Sequence, residues 1–331
     1  MIVIKDKITW NKYLSEFDFR DYFFEYDYIN TIKDEGGEGY PEAAYYEDEK
    51  GKVFYPYLRR PMNLEWIPEK YHSLNDITSP FGSGGYLHKG DISGFFSEWN
   101  TYVKSENIVT EFIRHHPFLL STQIPFEIIK IAEHIYIDLS EFNSTQDLFR
   151  SFRKGHKSDI KFAEKKYTHT SIDLLKFENI FSTFTKTRSL ERQFQTFQNF
   201  SHLKNEIKEI ISSFGIYTDD MLVTASMFLS SNNFSYYFSS GNIGNHRGAY
   251  SLLVWKAMEE AWNKRINYFS LGGGIQANDS IFAFKKGFSD KTVPFYISRI
   301  IHDQTIYDDC VKAREAYFKE KGTFFPAYRK F

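Results

Sequence analysis

The stretch YFSLGGGIQANDSIFAFKKGFS, residues 268–289, decides how the C-terminal half of the chain folds. Three consecutive glycines, Gly272–Gly274, end a predicted strand, and a short helix rich in Phe and Lys follows. No Gly-Lys-Ser/Thr follows them, so they do not form a P-loop. They also lack the Gly-x-Gly-x-x-Gly spacing of dinucleotide-binding folds, because residue 277 is Ala and the segment before the glycines does not match such a fold. Three interpretations stay open: a phosphate-binding loop, a plain turn, or part of an acyl-transfer site.

The elements around this stretch predict a layered domain. Strands are predicted at 221–229 and 234–239, around a Ser-Ser-Asn-Asn turn, and again at 266–274 and 293–301. Helices are predicted at 175–189, 205–214, 251–264 and 280–288, with a helical tail at the C-terminus. This succession of helices, a hairpin and single strands is typical of an α/β or α+β domain.

The N-terminal half has its own strands and helices. A hairpin is predicted from strands 43–47 and 53–58, and a Pro/Gly/Ser loop at 78–87. Helical spacing follows at 91–107, strands at 108–118 and 134–140, and one basic helix at 145–166. Because 331 residues exceed a typical domain, two compact domains are expected.

Composition excludes several classes of protein. The net charge of −2 does not indicate a dedicated nucleic-acid binder, and the single cysteine, Cys310, excludes disulfide frameworks and multi-cysteine metal sites. The adjacent His115 and His116 would point to opposite faces of a strand, so a metal site built from them is not expected. No apolar run is long enough to span a bilayer, and no signal-peptide pattern opens the sequence, which predicts a cytoplasmic protein.

Two segments of the sequence are candidate anion-binding sites. The turn NIGNHRGAY, residues 242–250, enters a helix whose free N–H groups and dipole favour negative charge, and Arg247 suits a phosphate. A plain β-to-α turn, in which the glycines supply the backbone angles, explains the same residues and is favoured by the local sequence over an anion site. The basic helix 145–166 can follow nucleotide or RNA phosphates, although a solvated helix face is the usual explanation of a run of charges.

These pieces, in this order, resemble the nonribosomal peptidyltransferase (Fem-type) branch of the GNAT acyltransferase superfamily. The matching stretches are SPFGSGGYL (79–87), EFIRHHPF (111–118), YIDLS (136–140), FRKGHKSDIKFAEK (152–165), FSSGNIGNHRGAYSLLVWKAMEEA (238–261) and FSLGGG with SIFAFKKGFS (269–289). The resemblance implies two tandem GNAT-like domains, 1–133 and 134–331, with mixed central sheets flanked by helices. The triple glycine would end a central strand of the second domain, beside the acyl-donor channel.

The resemblance also implies an amide-forming acyltransferase. Our leading expectation is transfer of a short acyl group from acyl-CoA to the amino group of a dTDP- or UDP-linked amino sugar, without a metal. It depends on the turn at 242–250 and on the lack of a long helical-hairpin arm. The alternative is an aminoacyl-tRNA-dependent peptidyltransferase acting on a peptidoglycan precursor, and the second alternative a non-catalytic GNAT-like binding protein. DNA and membrane insertion are not expected, and both a monomer and a homodimer stay open.

Roles follow for individual residues under this resemblance. The proton-transfer candidates are Asp279, Tyr237, Glu111 and His115, with Tyr236 and His156 as further options. The coenzyme A contacts are expected at Arg247, Gly248, Ala249, Gly272, Gly273, Phe284 and Lys285. The acceptor contacts are expected at Ser79, Phe81, Gly84, Tyr86 and Arg114, with Arg153, Lys154 and Lys157 as phosphate partners.

Overall fold

A computed structural model describes residues 1–19, 21–32, 39–188, 207–274, 279–322 and 324–329. The strands are β1 (Ile2–Ile4), β2 (Tyr40–Glu47), β3 (Gly51–Pro61), β4 (Asn75–Thr78), β5 (Leu87–Gly90), β6 (Ile108–Arg114), β7 (Ile129–Asp138), β8 (Thr168–Ser171), β9 (Ile211–Thr218), β10 (Met221–Ser230), β11 (Phe234–Asn242), β12 (Tyr268–Gly272) and β13 (Thr292–Ile301). The helices are α1 (Lys7–Leu14), α2 (Tyr26–Ile32), α3 (Ser93–Ser105), α4 (Thr145–Ser151), α5 (Lys154–Lys166), α6 (Leu174–Thr187), α7 (Ala249–Asn263), α8 (Ser280–Lys285) and α9 (Gln304–Phe318). Within these residues no helix has the length and apolarity needed to cross a bilayer.

The chain divides into two units. The first takes its described residues from 1–19, 23–131 and 295–331, and the second consists of Asp21, Tyr22 and 132–294. The sequence predicts a division at 133/134 with all later residues in the second domain. In the structure the described residues from 295 onward belong to the first unit instead, because β13 pairs with β6 from Ile297 to Ile301.

The first unit is a mixed sheet in the order β1-β2-β3-β4-β6-β13, with β5 beside β3. The predicted hairpin forms as β2 and β3, which pair antiparallel from Tyr40–Arg59 to Glu47–Lys52. Helix α3 buries Phe95, Phe96, Trp99 and Val103, a spacing that places all four on one side of a helix. These side chains form the core of this unit with the inward residues of β2, β3 and β6.

A buried charge cluster closes the first unit at its C-terminal end. Asp76 is fully buried and accepts hydrogen bonds from Arg60 Nε at 2.6 Å, Arg329 Nε at 2.7 Å and the Tyr328 hydroxyl at 2.9 Å. Nearby, Cys310 is fully buried, and burial raises the pKa of its thiol to about 12. A thiol that stays protonated at neutral pH is not a nucleophile.

The second unit has the strand order β7-β12-β11-β10-β9-β8. Strands β10 and β11 form the predicted hairpin, and β11 runs parallel to β12 after a crossover through α7. Helix α7 buries Leu252, Leu253, Val254 and Met258 in the core of this unit, against β9 and β10. The mixed sheet flanked by helices confirms the predicted fold class.

Two predicted helices are wrong in part. The predicted helix 145–166 is two helices, because Phe152 leaves helical geometry and is buried against Trp255 and Phe288. Of the predicted helix 205–214, residues 205 and 206 lie outside the described residues, and Ile211 already begins β9. Pairing of β9 with β10 from Ile211 to Thr218 overrides the local helical spacing.

Candidate functional site

The centre of the candidate site is the place where two parallel strands part, which we call the fork. Strands β11 and β12 pair only from Phe234–Tyr268 to Tyr236–Ser270. Beyond Tyr236, β11 continues to Asn242, whereas its register with β12 ends at Tyr236–Ser270. Each strand also has a register shift in the pairing with its other neighbour. In the β10–β11 pair the shift lies between Met227 and Phe228 of β10, and in the β7–β12 pair it lies between Ser270 and Gly272 of β12. Such bulges bend strands, and the pairing of β11 with β12 ends at the same place.

Lys285 lies at this fork. Helix α8 buries its side chain to 7% exposure, and Nζ donates a hydrogen bond of 2.6 Å to the carbonyl oxygen of Gly273. The same nitrogen lies 5.5 Å from the centroid of the Tyr237 ring. Burial lowers the pKa of Lys285 to about 8, although the charge of Asp279 opposes this shift. Lys285 is thus a poorly solvated ammonium group at the end of β12.

The glycines at the end of β12 have a conformational reason. Gly272 has φ of +68°, a left-handed conformation that favours glycine. An added Cβ at Gly273 would lie 3.0 Å from the Glu133 carbonyl oxygen, so this position is tightly packed. The backbone of β7 thus closely approaches Gly273, whose carbonyl oxygen accepts from Lys285.

Tyr237 and Asp279 complete this side of the fork. Burial raises the pKa of the Tyr237 phenol to about 12, with Ser240 opposing, so the hydroxyl keeps its proton at neutral pH and serves as a donor. Asp279 caps α8 by accepting the Phe282 N–H at 2.7 Å. The structure therefore brings together Tyr237, Gly272, Gly273, Asp279 and Lys285, all predicted as site residues.

The other face of β11 carries a pair that sequence reasoning missed in part. Tyr236 was named only as an option, and its hydroxyl donates a hydrogen bond to the carboxylate of Asp21, which is 1% exposed. The ring of Tyr22 packs edge-on against Tyr236 at 5.3 Å. Neighbouring strand residues face opposite sides, so this acidic pair lies across the sheet from Tyr237.

Phe284 and His156 hold α8 against α5. The His156 ring lies 5.1 Å from the Phe284 ring, and its Nε2 donates to the Phe284 carbonyl oxygen at 2.9 Å. Burial lowers the pKa of His156, which keeps the ring neutral. A Cβ at Gly287 would lie 2.1 Å from this ring. Because its proton is used in packing, His156 acts as a structural contact in this arrangement.

The residues of the turn 242–250, a candidate anion site in the sequence, make contacts within the protein. Arg247 Nε makes an ion pair of 2.9 Å with Asp159, and its guanidinium lies 4.9 Å from the Phe162 ring centroid. The Ala249 N–H donates to the His246 carbonyl, and Ala249 is buried in the core. Gly248, at φ +75°, approaches the Asp159 carbonyl so closely that a Cβ would lie 2.3 Å from its oxygen. Arg247 and Gly248 therefore join the start of α7 to α5.

This contact gives a matched pair of predictions. Gly248→Ala should destabilise the protein by about 2 kcal/mol or more, because it combines a left-handed backbone with a steric clash. Gly155→Ala, within α5, should stabilise it by up to about 1 kcal/mol, since a Cβ there meets nothing within 4 Å. Urea denaturation of both variants measures the two signs, and a harmless Gly248→Ala would contradict the described approach of α5.

Glu111 belongs to a structural network in the first unit. This fully buried carboxylate accepts from the hydroxyls of Tyr55 at 2.8 Å and Tyr86 at 3.2 Å and from Trp99 Nε1 at 3.0 Å. His302 Nε2 lies 3.1 Å from it as well. A carboxylate surrounded by donors is satisfied where it stands, and Tyr86, predicted to contact the acceptor, is one of those donors.

His115 is also held by packing. Its Nε2 lies 2.8 Å from Ser298 Oγ, and that hydroxyl donates its own proton to the Glu127 carbonyl. The serine must therefore accept, so Nε2 carries the imidazole proton. Burial lowers the pKa of His115 to about 4, which keeps it neutral.

The predicted acceptor residues of the first unit cluster around the ends of β4 and β6. Ser79 is fully buried and accepts the Arg114 N–H at 2.9 Å, while the Gly84 N–H donates to the Arg114 carbonyl at 2.8 Å. The Phe81 carbonyl accepts from the Tyr28 hydroxyl at 2.9 Å. Their contacts hold the loop 78–87 in place, and their predicted role toward an acceptor stays a prediction.

The predicted phosphate partners lie at the start of α5 in the second unit. Arg153 is paired with Asp290 at 2.9 Å, and Lys157 donates to the Arg150 carbonyl at 2.8 Å. Lys154 is exposed at the first position of the helix. The structure therefore places them on the surface at the start of α5.

Comparison with known proteins identifies a family and solved structures to which this chain is similar. Residues 166–296 match the FemAB family, and that match contains both strands of the fork. No curated protein matches the chain. The crystal structure of FemX superposes with a TM-score of 0.63 at 12% identity, over 93% of this chain and 99% of that one.

Two further solved structures are similar. A conserved protein of unknown function from Bacteroides thetaiotaomicron VPI-5482 superposes with a TM-score of 0.54 at 11% identity, over 89% of this chain and 96% of that one. A tandem GNAT protein from the clavulanic acid biosynthesis pathway gives 0.45 at 8% identity, over 82% and 87%, too low a score to carry weight. The fold is that of FemX, and the FemAB match agrees with it, which confirms the Fem-type part of the resemblance.

Proposed function

We propose that the protein is an amide-forming aminoacyltransferase that moves an amino acid from aminoacyl-tRNA to an amino group of a peptidoglycan precursor. The FemAB match supports this over the acyl-CoA-dependent acylation of an amino sugar that the sequence favoured. Peptidoglycan members of that branch use aminoacyl-tRNA and extend a cell-wall peptide. Neither the family match nor the neighbouring structures support a nucleotide sugar as the acceptor.

The observation that carries the proposal is a buried ammonium group at a parting of parallel strands. When an amine attacks the ester carbonyl of aminoacyl-tRNA, a C–N bond forms and the carbonyl oxygen gains negative charge. Lys285 Nζ and the Tyr237 hydroxyl supply donors for that oxygen in a poorly solvated place, where such donors have the largest effect. The C–O bond to the ribose then breaks, and the ribose oxygen takes up the proton that the amine loses.

The Tyr236–Asp21 pair lies on the other face of β11 from Tyr237, so we assign it no part in the path of the proton from the amine to the ribose oxygen. Orientation of two bound substrates supplies much of the remaining acceleration, so no covalent intermediate is required.

Coenzyme A as donor lacks comparable support. The turn 242–250, on which that expectation depends, uses Arg247 for an ion pair with Asp159 and the Ala249 N–H for the His246 carbonyl. A pyrophosphate there would have to displace both contacts. We therefore propose no second function.

The test compares the two donors directly. Purified protein is incubated with tRNA charged with a radiolabelled amino-acid mixture, or with radiolabelled acetyl-CoA, and with a UDP-linked peptidoglycan precursor or an amino-sugar nucleotide as acceptor. We expect label from aminoacyl-tRNA in the precursor, resistant to mild base because the new bond is an amide. Label from acetyl-CoA in the amino sugar would overturn the proposal, and so would the absence of transfer with every pair.

A further inference from the structure

Helix α5 carries four lysines along one line of its surface. Lys154, Lys157, Lys161 and Lys165 are spaced by three, four and four residues, so they fall within about 80° of arc and extend over about 16 Å. The helix is anchored on another side, where Ile160 and Ala163 are fully buried. We call these four residues the lysine stripe.

The acidic residues of α5 do not neutralise this stripe. Asp159 pairs with Arg247 at 2.9 Å, and Glu164 pairs with Lys256 at 3.0 Å. Both carboxylates are thereby used to join α5 to cations of the α7 region. In the parts of the chain that the structure describes, Lys154, Lys161 and Lys165 make no ion pair with any residue.

The stripe also lowers the stability of its own helix. Lys154 occupies the first position of α5, where the helix dipole disfavours a cation, and the first turn contains no acidic residue. Lys157, Lys161 and Lys165 stand in like-charge pairs four residues apart, which repel each other. A bound polyanion removes both penalties, whereas a plain solvated face gains nothing from this arrangement.

An aromatic ring beside the stripe favours nucleic acid as that polyanion. Phe162 is 39% exposed, and one side of its ring faces the guanidinium of Arg247 at 4.9 Å. Proteins that bind single-stranded nucleic acid combine a line of cations for the backbone with aromatic rings on which bases stack. A lipid surface would call for an apolar face beside the cations, and Phe162 alone does not form one.

We propose that the lysine stripe with Phe162 binds the phosphate backbone of RNA, and that this RNA is the tRNA part of the donor. The identity of the RNA rests on the proposed function, whereas the binding of RNA does not. The stripe lies outside the fork, so it contributes to donor affinity and takes no part in the transfer step. It is a docking surface for the nucleic-acid portion of the substrate.

The first experiment measures binding without catalysis. Uncharged tRNA with a fluorescent label is titrated with the protein at several salt concentrations. The triple variant Lys154→Gln, Lys161→Gln and Lys165→Gln should bind roughly tenfold more weakly and show a salt slope smaller by about 2. The matched triple variant Lys104→Gln, Lys176→Gln and Lys312→Gln, with the same loss of charge at exposed positions, should bind like the wild type.

The corresponding triple Arg variant of the stripe should restore both affinity and salt slope, since the contact is with charge. Equal weakening by both Gln variants would overturn the proposal, because it would show a general effect of net charge. Wild-type protein that fails to bind tRNA would overturn it as well. So would stripe-dependent binding to vesicles of anionic lipid in place of tRNA.

The second experiment separates this inference from the proposed function. Transfer is measured with full aminoacyl-tRNA and with a short aminoacyl-nucleotide that ends at the same ribose. The Gln stripe variant should show a raised KM for the full tRNA, an unchanged kcat, and unchanged kinetics with the short donor. If transfer occurs but the KM for the full tRNA is unchanged in the variant, the proposed role of the lysine stripe is overturned and the proposed function is not. If the stripe binds tRNA but no transfer occurs, the proposed function alone is overturned.

Discussion

Replacing Lys285 with methionine is expected to lower kcat for aminoacyl transfer by about 100- to 1,000-fold, the usual effect of removing one donor to a developing oxyanion. Methionine keeps the length of the side chain but removes the hydrogen bond to the Gly273 carbonyl and the charge beside Tyr237. Single-turnover measurements with saturating donor test this effect without interference from binding.

The same variant should be more stable than the wild type at neutral pH. Burial lowers the pKa of Lys285 from 10.5 to about 8, so below pH 8 the folded protein holds a charge that it disfavours, by about 3 kcal/mol. Between about pH 8 and 10.5 the unfolded chain binds more protons, and this group makes stability rise with pH. Lys285→Met should remove that rise and raise the melting temperature at pH 7.

The pH dependence of the rate follows from the same group. The protonated ammonium is the form that stabilises the oxyanion, so kcat should fall as pH increases through about 8. The control is Lys286→Met, at the residue that follows α8, which should keep the wild-type rate. Full activity in Lys285→Met, or a rate that rises through pH 8, would show that the fork does not use this ammonium as a donor.

Replacing Asp76 with asparagine should destabilise the first unit by about 3 to 5 kcal/mol, because it removes the buried carboxylate charge with which two buried arginines pair. Burial alone would raise the pKa of Asp76, but Arg329 and Arg60 outweigh it and hold that pKa below 3.8. A depressed acid pKa means that the contribution is present above pH 3.8 and disappears as the carboxyl is protonated. The variant mimics that acid form at neutral pH.

Urea denaturation of Asp76→Asn measures the loss. The matched control is Asp309→Asn, since Asp309 pairs with Lys70 on the surface, where both side chains are well exposed. Such exposed pairs contribute at most about 1 kcal/mol, so this control should shift the midpoint only slightly. Equal midpoints for the two variants would contradict the description of Asp76 as the centre of a buried charge cluster.

The elements that sequence reasoning predicted correctly are those whose signal is local. The β2–β3 and β10–β11 hairpins and helix α7 carry their own periodicity and turns. The break at Phe152 and strand β9 depend on partners far along the chain, namely Trp255 and β10. Local spacing contains no information about those partners, so the helices predicted there extend too far.

The site divides in the same way. The glycines and the Lys285 helix mark the fork in the sequence, but the depressed pKa arises from burial that only the folded chain produces. Asp21 lies 215 residues from Tyr236, and no sequence pattern connects them. Glu111 was predicted as a candidate base because the sequence does not show which groups donate hydrogen bonds to it. Those donors are Tyr55, Tyr86 and Trp99, which come from separate segments of the chain.

The C-terminal segment has a consequence for synthesis of the protein on the ribosome. Strand β13 and Arg329 complete a unit that begins with the first residues, whereas residues 132–294 of the other unit are continuous. The middle of the nascent chain can therefore mature first, while the early part waits for its last partners to emerge. During that wait one edge of β6 lacks β13 and Asp76 lacks Arg329, so this early part keeps a strand edge and a charge without their final partners until synthesis is nearly finished.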